Sequence, residues 1–201
     1  MDEVRDNRSA SGGLGVSGMA ADSEALILVD EADREVGHLS NVSCHEGHGV
    51  LHRAFSILIF NGNGELLLQQ RAPSKRLWPL YWSNSCCSHP RKGETVAAAA
   101  RRRLREELGL VARLTSVGRV RYRFRYGRHG AENELTSVLL GRSRGAVVSD
   151  PDEVAEWKWV DAKEFESDLA RHPRRYTPWF RLEWDFLRRE HGAALQRLIS
   201  G

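Results

Sequence analysis

Two adjoining segments decide the fold of this chain: Tyr81-Trp-Ser-Asn-Ser-Cys-Cys-Ser-His-Pro90 and the segment 93–110 that follows it. We predict an extended first segment, because Trp suits strands and the proline disfavours a helical residue before it. Successive side chains of an extended backbone point to opposite faces. We therefore expect Cys87 and His89 to share one face and Cys86 to lie on the other. A thiol beside an imidazole suits acid–base chemistry or metal binding.

The segment 93–110 predicts a helix that Glu94 or Thr95 can begin. An apolar residue recurs at every fourth position and forms one buried stripe, made of Val96, Ala100, Leu104 and Leu108. Gly109 supplies the left-handed conformation at which helices commonly stop. Near that end, Arg103 and Glu107 are one turn apart on one face.

This helix resembles the Nudix box, whose pattern is G-x5-E-x7-R-E-U-x-E-E-x-G-U. The matching positions are Glu94, Arg102, Leu104, Glu106, Glu107, Gly109 and Leu110. Two positions depart from the pattern: Ser88 stands for the opening Gly, and Arg103 stands for the Glu after the Arg. In hydrolytic Nudix enzymes that Glu belongs to the acidic cluster that holds the metal ions. The resemblance therefore implies an inherited helix whose hydrolytic metal site is dismantled.

Composition indicates an ordinary globular protein, with 201 residues, 41% hydrophobic residues, 28% charged residues and a net charge of +3. We predict a disordered tail over 1–22 and a single domain over 23–201. No apolar run approaches the ~20 residues of a membrane span, and no apolar signal-peptide core is present at the N-terminus. Three cysteines, two of them adjacent, make no disulfide framework. We expect a cytoplasmic monomer or homodimer with no nucleic-acid or membrane partner.

Three histidines lie close together at His45, His48 and His52, just before a predicted buried strand over 54–60. An isolated histidine more often lies at the surface or the edge of a core, and three within eight residues strengthen the case for a ligand role. Further along, Glu132 and Glu134 are two residues apart on a predicted strand, so both carboxylates face the same side. Taken alone, that pair is more typical of a charged strand edge.

A basic loop, Arg71-Ala-Pro-Ser-Lys-Arg76, precedes the first segment. Taken alone, such a loop is more typical of a solvated turn than of an anion site, and its position upstream of Cys87 makes the two interpretations about equal.

The other predicted elements are strands and two further helices. The strands cover 24–30, 37–40, 65–70, 119–126, 135–140 and 157–160. Asp161 caps a helix over 162–169, and Thr177 caps a last helix that begins at Pro178 and whose apolar face extends to Leu195. Strands mixed with a few helices predict an α/β (α+β) fold in which a mixed sheet is sandwiched between helices.

Taken together, these motifs resemble the type 1 isopentenyl-diphosphate delta-isomerase family, which has the Nudix fold. The resemblance covers about 25–180 and rests on His45-x6-His52, Arg71-Ala-x-Ser-Lys75, Trp78-Pro-x-x-Trp82-x-Asn-Ser-x-Cys87-x-His89-Pro90, Arg102-Arg103 before Glu107-Leu-Gly, Glu132-Asn-Glu134 and Pro178-Trp179. Arginine at position 103 is itself a feature of that family. The chain departs from the family at Asn41, where a lysine is common, and varies at Cys86 and Ser88.

The resemblance implies two metal sites and a diphosphate site. One divalent ion (zinc, manganese or magnesium) would be held by His45, His52, His89, Glu132 and Glu134. Glu107 would hold a magnesium ion that bridges to the substrate diphosphate. The diphosphate would also contact Arg71, Lys75 and Arg103. His48 matches no ligand of the family.

The resemblance also implies an isomerase of isoprenoid biosynthesis. It would convert isopentenyl diphosphate to dimethylallyl diphosphate by protonation and deprotonation through a tertiary carbocation. Cys87 and Glu134 would be the acid–base pair, with either one as the acid. Tyr122 would hydrogen-bond near Glu134. The ring of Trp179 would either face the cation, a contact worth ~1–2 kcal/mol, or pack in the core.

Two alternatives are weighed against this interpretation. A Nudix hydrolase of nucleoside diphosphate compounds would share the fold. Arg103 and the Cys87-x-His89 pair argue against it. A non-catalytic zinc module using Cys44, Cys86, Cys87 and nearby histidines is disfavoured, because the chain has no Cys-x2-Cys pair.

Overall fold

The computed structural model describes residues 25–200, so the predicted tail over 1–22 lies outside the described residues. The strands are β1 (Leu26–Val29), β2 (Glu35–Leu39), β3 (His52–Phe60), β4 (Leu66–Arg71), β5 (Trp82–Ser83), β6 (Cys86–Ser88), β7 (Arg113–Arg125), β8 (Ala131–Arg142) and β9 (Val154–Val160). The helices are α1 (Asn41–Cys44), α2 (Val96–Leu108), α3 (Ala162–Arg171), α4 (Pro178–Glu190) and α5 (Gly192–Ile199). A short 3-10 helix over Pro173–Arg175 precedes α4.

Strand β3 lies at the centre of a mixed sheet. It pairs in parallel with β8 along its whole length and antiparallel with β1, β4 and β6. Strand β7 pairs antiparallel with β8, and β9 pairs antiparallel with β4. Such parallel pairing requires a long crossover, and the chain from β4 to β7, which includes α2, provides it. The predicted mixed sheet is confirmed.

Alternate residues of β3 pack into two different cores. Ile57 and Ile59 face α2, where they join the buried Ala100, Leu104 and Leu108. On the opposite face, Leu58 and Phe60 join a larger cluster that contains apolar residues of α3, α4 and α5, including Phe165, Phe180, Trp184 and Leu195. Since successive strand residues point to opposite faces, one apolar strand builds both layers, and the predicted sandwich between helices is confirmed.

Helix α2 has the predicted ends. Thr95 is its N-cap, and the Thr95 hydroxyl accepts a hydrogen bond of 3.2 Å from the backbone N–H of Ala98. Gly109 ends the helix with a φ of +66°, in the left-handed region that glycine adopts without strain.

The prediction of one last helix reaching Leu195 is wrong. Helix α4 ends at Glu190, His191 leaves the helical conformation, and Leu195 belongs to α5. Thr177 does occupy the N-cap position of α4, but its hydroxyl makes no capping hydrogen bond and lies 2.9 Å from the hydroxyl of Ser83 instead. The buried threonine therefore joins α4 to β5. Among the described helices, none combines the length and apolarity that a membrane crossing needs.

Candidate active site

A cavity of about 380 Å³ opens beside the ends of β3, β6 and β8. Its walls bring together most of the residues that the sequence singled out: Arg71, Lys75, Arg103, Cys87, His45, His89, Tyr122, Glu132, Glu134 and Trp179. His52 and Glu107 lie behind the wall and contact residues that line it. His48, which matched no ligand, is exposed.

One end of the cavity is formed by what we call the His–Glu cluster, which consists of His45, His52, His89, Glu132 and Glu134. One ligand atom from each of the five lies within 4.8 Å of all the others. The register of the sheet explains part of this arrangement, because His52 of β3 lies directly opposite Glu134 of β8.

Backbone carbonyls orient two of the imidazoles in the cluster. Nδ1 of His45 lies 2.7 Å from the carbonyl of Asn41, and Nδ1 of His52 lies 2.7 Å from the carbonyl of Val50. A carbonyl only accepts, so each Nδ1 carries the proton and each Nε2 faces the cluster. Such a partner behind a histidine is the usual arrangement around a bound metal.

Glu134 collects several hydrogen bonds. Nε2 of His89 lies 2.7 Å from its Oε1, the hydroxyl of Tyr122 donates to Oε2, and the hydroxyl of Thr136 donates to Oε2 over 3.1 Å. Burial raises the pKa of Glu134, but the facing imidazole of His52 and the hydrogen bond from His89 outweigh it and hold the pKa well below its ordinary value. Glu134 is therefore ionised although it is buried.

The donor set of the cluster fits a divalent cation. Nε2 of His52 and Oε2 of Glu132 are buried, and neither makes a hydrogen bond in the described part of the protein. Glu132 Oε2 lies 2.9 Å from His45 Nε2, yet the two groups are not aligned for a hydrogen bond. Buried polar atoms without partners are rare in proteins and are costly. Three imidazole nitrogens and two carboxylates are ligands that zinc, manganese and magnesium accept.

The two adjacent thiols lie on opposite faces of β6, as predicted. Cys87 lines the cavity, whereas Cys86 is fully buried in the core against α2. Cys87 lies opposite Ser56 in the antiparallel pairing of β6 with β3. Burial raises the pKa of the Cys87 thiol above its ordinary value, although the charge of Arg71 opposes the shift.

The other end of the cavity is formed by what we call the Arg103 network, which consists of Lys75, Arg103, Glu106, Glu107 and Glu153. The guanidinium of Arg103 lies 2.7 Å from Glu107 Oε1 and 2.9 Å from Glu153 Oε1. Lys75 forms an ion pair with Glu153. Burial raises the pKa of Glu107, although Arg103 opposes the shift. Each carboxylate of this network thus has a cation beside it.

Arg71 is held between a turn and Trp179. Its Nη2 donates to the carbonyl of Leu77 over 2.9 Å, and its Nε donates to the carbonyl of Trp78 over 3.1 Å. Its guanidinium carbon lies 5.2 Å from the centroid of the Trp179 ring. In this turn Trp78 and Leu80 have positive φ angles of 48° and 61°, which are uncommon for residues with side chains. An unusual turn therefore fixes the cation over the ring.

Sequence reasoning missed two acidic residues. Glu153 lies in a loop, and no pattern in the sequence indicated a role for it. Glu183 had a signal, because it is an acid on the apolar face of α4, four residues after Trp179. Glu183 is fully buried, accepts a 2.6 Å hydrogen bond from the hydroxyl of Ser56, and burial raises its pKa to about 8.

Comparison with known proteins gives one consistent family. Residues 50–180 match the model of the NUDIX domain. The isopentenyl-diphosphate Delta-isomerase of Nocardia farcinica is 49% identical over 153 residues, which cover 76% of this chain and 87% of that protein. The isopentenyl-diphosphate Delta-isomerase 2 of Aromatoleum aromaticum is 43% identical over 177 residues, which cover 88% of this chain and 87% of that protein.

Solved structures support the fold. A crystal structure from Deinococcus radiodurans covers 74% of this chain and 90% of its own, with a TM-score of 0.60 and 23% identity. The MutT protein from Methanosarcina mazei covers 70% of this chain and 95% of its own, with a TM-score of 0.58 and 22% identity. At these identities the likeness concerns the fold alone. The NUDIX match and these curated relatives, which match over most of both chains, together show that this chain belongs to the isopentenyl-diphosphate Delta-isomerase family of NUDIX-domain proteins.

Proposed function

We propose that this protein isomerises isopentenyl diphosphate to dimethylallyl diphosphate, the reaction that the names of its relatives describe. One observation carries the proposal. The thiol of Cys87 and the carboxylate of Glu134 line a single cavity, and cations line its walls beside them. A diphosphate would bind the cations, while its hydrocarbon part would lie between the thiol and the carboxylate.

The reaction needs two acid–base groups. One adds a proton to the terminal alkene carbon, and the other removes a proton from the allylic methylene. We assign these steps to Cys87 and Glu134. The hydroxyl of Tyr122 donates to Glu134 and fixes the orientation of the carboxylate. Tyr122 and Glu134 are both buried, so little water reaches the reacting atoms and the carbocation is protected from hydration.

The substrate is held at its charged end and shielded at its hydrocarbon end. Lys75, Arg103 and Arg71, which all line the cavity, bind the diphosphate. Trp179 lines the cavity beside Arg71, and we assign its ring to the stabilisation of the tertiary carbocation.

The His–Glu cluster is assigned to one divalent ion, which is Mn²⁺, Zn²⁺ or Mg²⁺, and Glu107 to a Mg²⁺ that accompanies the diphosphate. When bound, these ions offset the negative charge of the carboxylates and of the diphosphate. The buried atoms of His52 and Glu132 that lack hydrogen bonds support the first assignment. We further propose that residues 23–201 form one catalytic domain, and that the protein is a cytoplasmic monomer or homodimer that binds neither nucleic acid nor membrane.

Incubation of the protein with isopentenyl diphosphate and Mg²⁺ tests the function. We expect dimethylallyl diphosphate by chromatography and no release of phosphate. The competing proposal is hydrolysis of a nucleoside diphosphate compound, and it is supported only by the shared fold. Phosphate released in step with turnover, without dimethylallyl diphosphate, would favour the hydrolase.

A further inference from the structure

Arg76 lies at the rim of the cavity, on the side of the His–Glu cluster. It is exposed, lines the cavity next to Asn41, and its Nη2 donates to the backbone carbonyl of Val42 over 3.3 Å. The guanidinium also lies against Gly130, where an added Cβ would be 3.5 Å from Nη2. The side chain therefore extends across the gap between α1 and the turn that joins β7 to β8.

The charge of Arg76 is compensated less than the charges of Lys75, Arg102 and Arg103, which also line the cavity. Lys75 pairs with Glu153, Arg102 pairs with Glu94, and Arg103 pairs with several carboxylates. Among the residues that the structure describes, Arg76 has a neutral carbonyl as its partner and no carboxylate. Exchanging a long hydrogen bond with a carbonyl for a charge-assisted bond with a phosphate oxygen is favourable.

The backbone around Arg76 is fixed, so a movement of the side chain alone can reach a ligand. The N–H of Ala72 donates to the carbonyl of Glu153 over 3.0 Å, and the N–H of Lys75 donates to the carbonyl of Ala72 over 3.2 Å. Lys75 and Arg76 are consecutive and both line the cavity. They can therefore approach one anion from two sides.

We propose that Arg76 is a further substrate-binding residue, which leaves the Val42 carbonyl and binds the diphosphate at the mouth of the cavity. Its planar guanidinium can offer two parallel N–H donors to one phosphate group. Asn41, its neighbour on the rim, carries no charge, so Arg76 supplies the positive charge at this part of the mouth. The inference rests on the proposed function for the identity of the diphosphate ester, but binding of a diphosphate as such can be measured without it.

The test uses the full chain and inorganic pyrophosphate with Mg²⁺, with binding measured by titration calorimetry. We expect Arg76→Ala to weaken pyrophosphate binding about tenfold, as the loss of one charge-assisted contact predicts. Arg76→Lys should recover part of the loss, because an ammonium keeps the charge but not the paired donors. The matched control is Arg128→Ala, since Arg128 is an exposed arginine of the β7–β8 turn, against which Arg76 lies, and does not line the cavity. It should change binding less than twofold.

Steady-state kinetics with isopentenyl diphosphate give the second readout. Arg76→Ala should raise KM about tenfold and leave kcat within about twofold, because the proposed contact is with the diphosphate and not with the reacting carbon atoms. Pyrophosphate binding equal to that of Arg128→Ala would overturn the role of Arg76, and so would a wild-type protein that binds no pyrophosphate. A wild-type protein that binds pyrophosphate through Arg76 but forms no dimethylallyl diphosphate would instead overturn the proposed function alone.

Discussion

The two ends of the cavity handle buried negative charge in different ways. In the Arg103 network, each carboxylate already lies beside a guanidinium or an ammonium group. In the His–Glu cluster, imidazoles surround the carboxylates, and two buried atoms make no hydrogen bond among the described residues. At one end every carboxylate has a cation of the protein beside it, and at the other end two donor atoms have no hydrogen-bond partner among the described residues.

The difference indicates what each end needs from a ligand. Nε2 of His52 and Oε2 of Glu132 can bind a cation without giving up a hydrogen bond, whereas His89 and Glu134 would give up the one between them. An anion that binds Lys75 and Arg103 must compete with Glu153 for both. Two donor atoms of the His–Glu cluster are therefore available to a cation, whereas Lys75 and Arg103 must exchange Glu153 for the diphosphate when it binds.

Cys87 lies between the two ends, and its replacement should have the largest effect. Cys87→Ala should lower kcat by ~10²–10⁴-fold or more, because an acid–base group is lost and little water can replace it. Cys86→Ala is the matched control. Its thiol is fully buried on the other face of β6, so activity should stay within a few-fold of wild type. Product formation by chromatography measures both. An inactive Cys86→Ala beside an active Cys87→Ala would contradict the facing of the strand.

Glu183 extends the comparison, because it is a buried carboxyl whose hydrogen-bond partner among the described residues is the hydroxyl of Ser56. Burial raises its pKa to about 8 in the folded protein, from an ordinary value of 4.5. Between these two values the folded protein holds a proton that the unfolded chain has lost. Stability should therefore fall as the pH rises from about 5 to 8.

Glu183→Gln should remove this pH dependence and become more stable than wild type by about 3–5 kcal/mol above pH 8. Below pH 4.5 the two proteins should differ little, because the neutral acid and the amide are similar in shape. Urea denaturation across the pH range measures the difference. Glu190→Gln, at the exposed end of the same helix, is the control and should show no such trend. If the stability advantage of Glu183→Gln over wild type does not grow with pH, then Glu183 does not hold a proton in the folded protein.

The His–Glu cluster can be tested by its metal content. Glu132→Gln and His89→Ala each remove one donor, and both should lower metal affinity and activity together, by at least ~10–100-fold. Glu46→Gln is the control, because Glu46 is exposed and follows the cluster residue His45 in the chain. Elemental analysis of the purified variants gives the metal content. Full occupancy in both Glu132→Gln and His89→Ala would exclude the assignment of the cluster.

We expect the smallest effect from a substitution in the Arg103 network, measured as a change in pyrophosphate affinity. Glu153→Gln removes the carboxylate that competes with a diphosphate for Lys75 and Arg103, so pyrophosphate should bind about threefold more tightly without Mg²⁺. Glu156→Gln, in β9 and exposed, is the control. Titration calorimetry measures both. Weaker binding by Glu153→Gln would mean that Glu153 positions the two cations rather than competing for them.

The sequence predicted those parts of the site that follow from local rules. Alternation along β6 and β8 correctly placed Cys87 away from Cys86 and put Glu132 beside Glu134. The predicted start and end of α2 were also correct, because each depends on one residue, Thr95 at the N-cap and Gly109 at the C-terminal end. The roles of the cluster, of Arg71 and of Trp179 stay predictions, since no ligand tests them.

Other features depend on contacts between distant segments, and local rules could not predict them. Thr177 was expected to cap α4, but the hydroxyl of Ser83 in β5 competes for it. The prediction of a single last helix was wrong, because the apolar periodicity of the sequence continues across His191 although the helical backbone is interrupted there. Glu153 was missed because its role depends on Lys75 and Arg103, which only the fold brings beside it.

The parallel pairing of β3 with β8 also has a consequence for folding kinetics. His52 and Glu134 are far apart in the chain and become neighbours only when this pairing closes a long loop, which is slow in general. The unfolded chain therefore has no His–Glu cluster, and an ion that binds the cluster acts on the native state. Such an ion should slow unfolding and leave the rate of strand pairing largely unchanged, since the donors are assembled after the loop has closed.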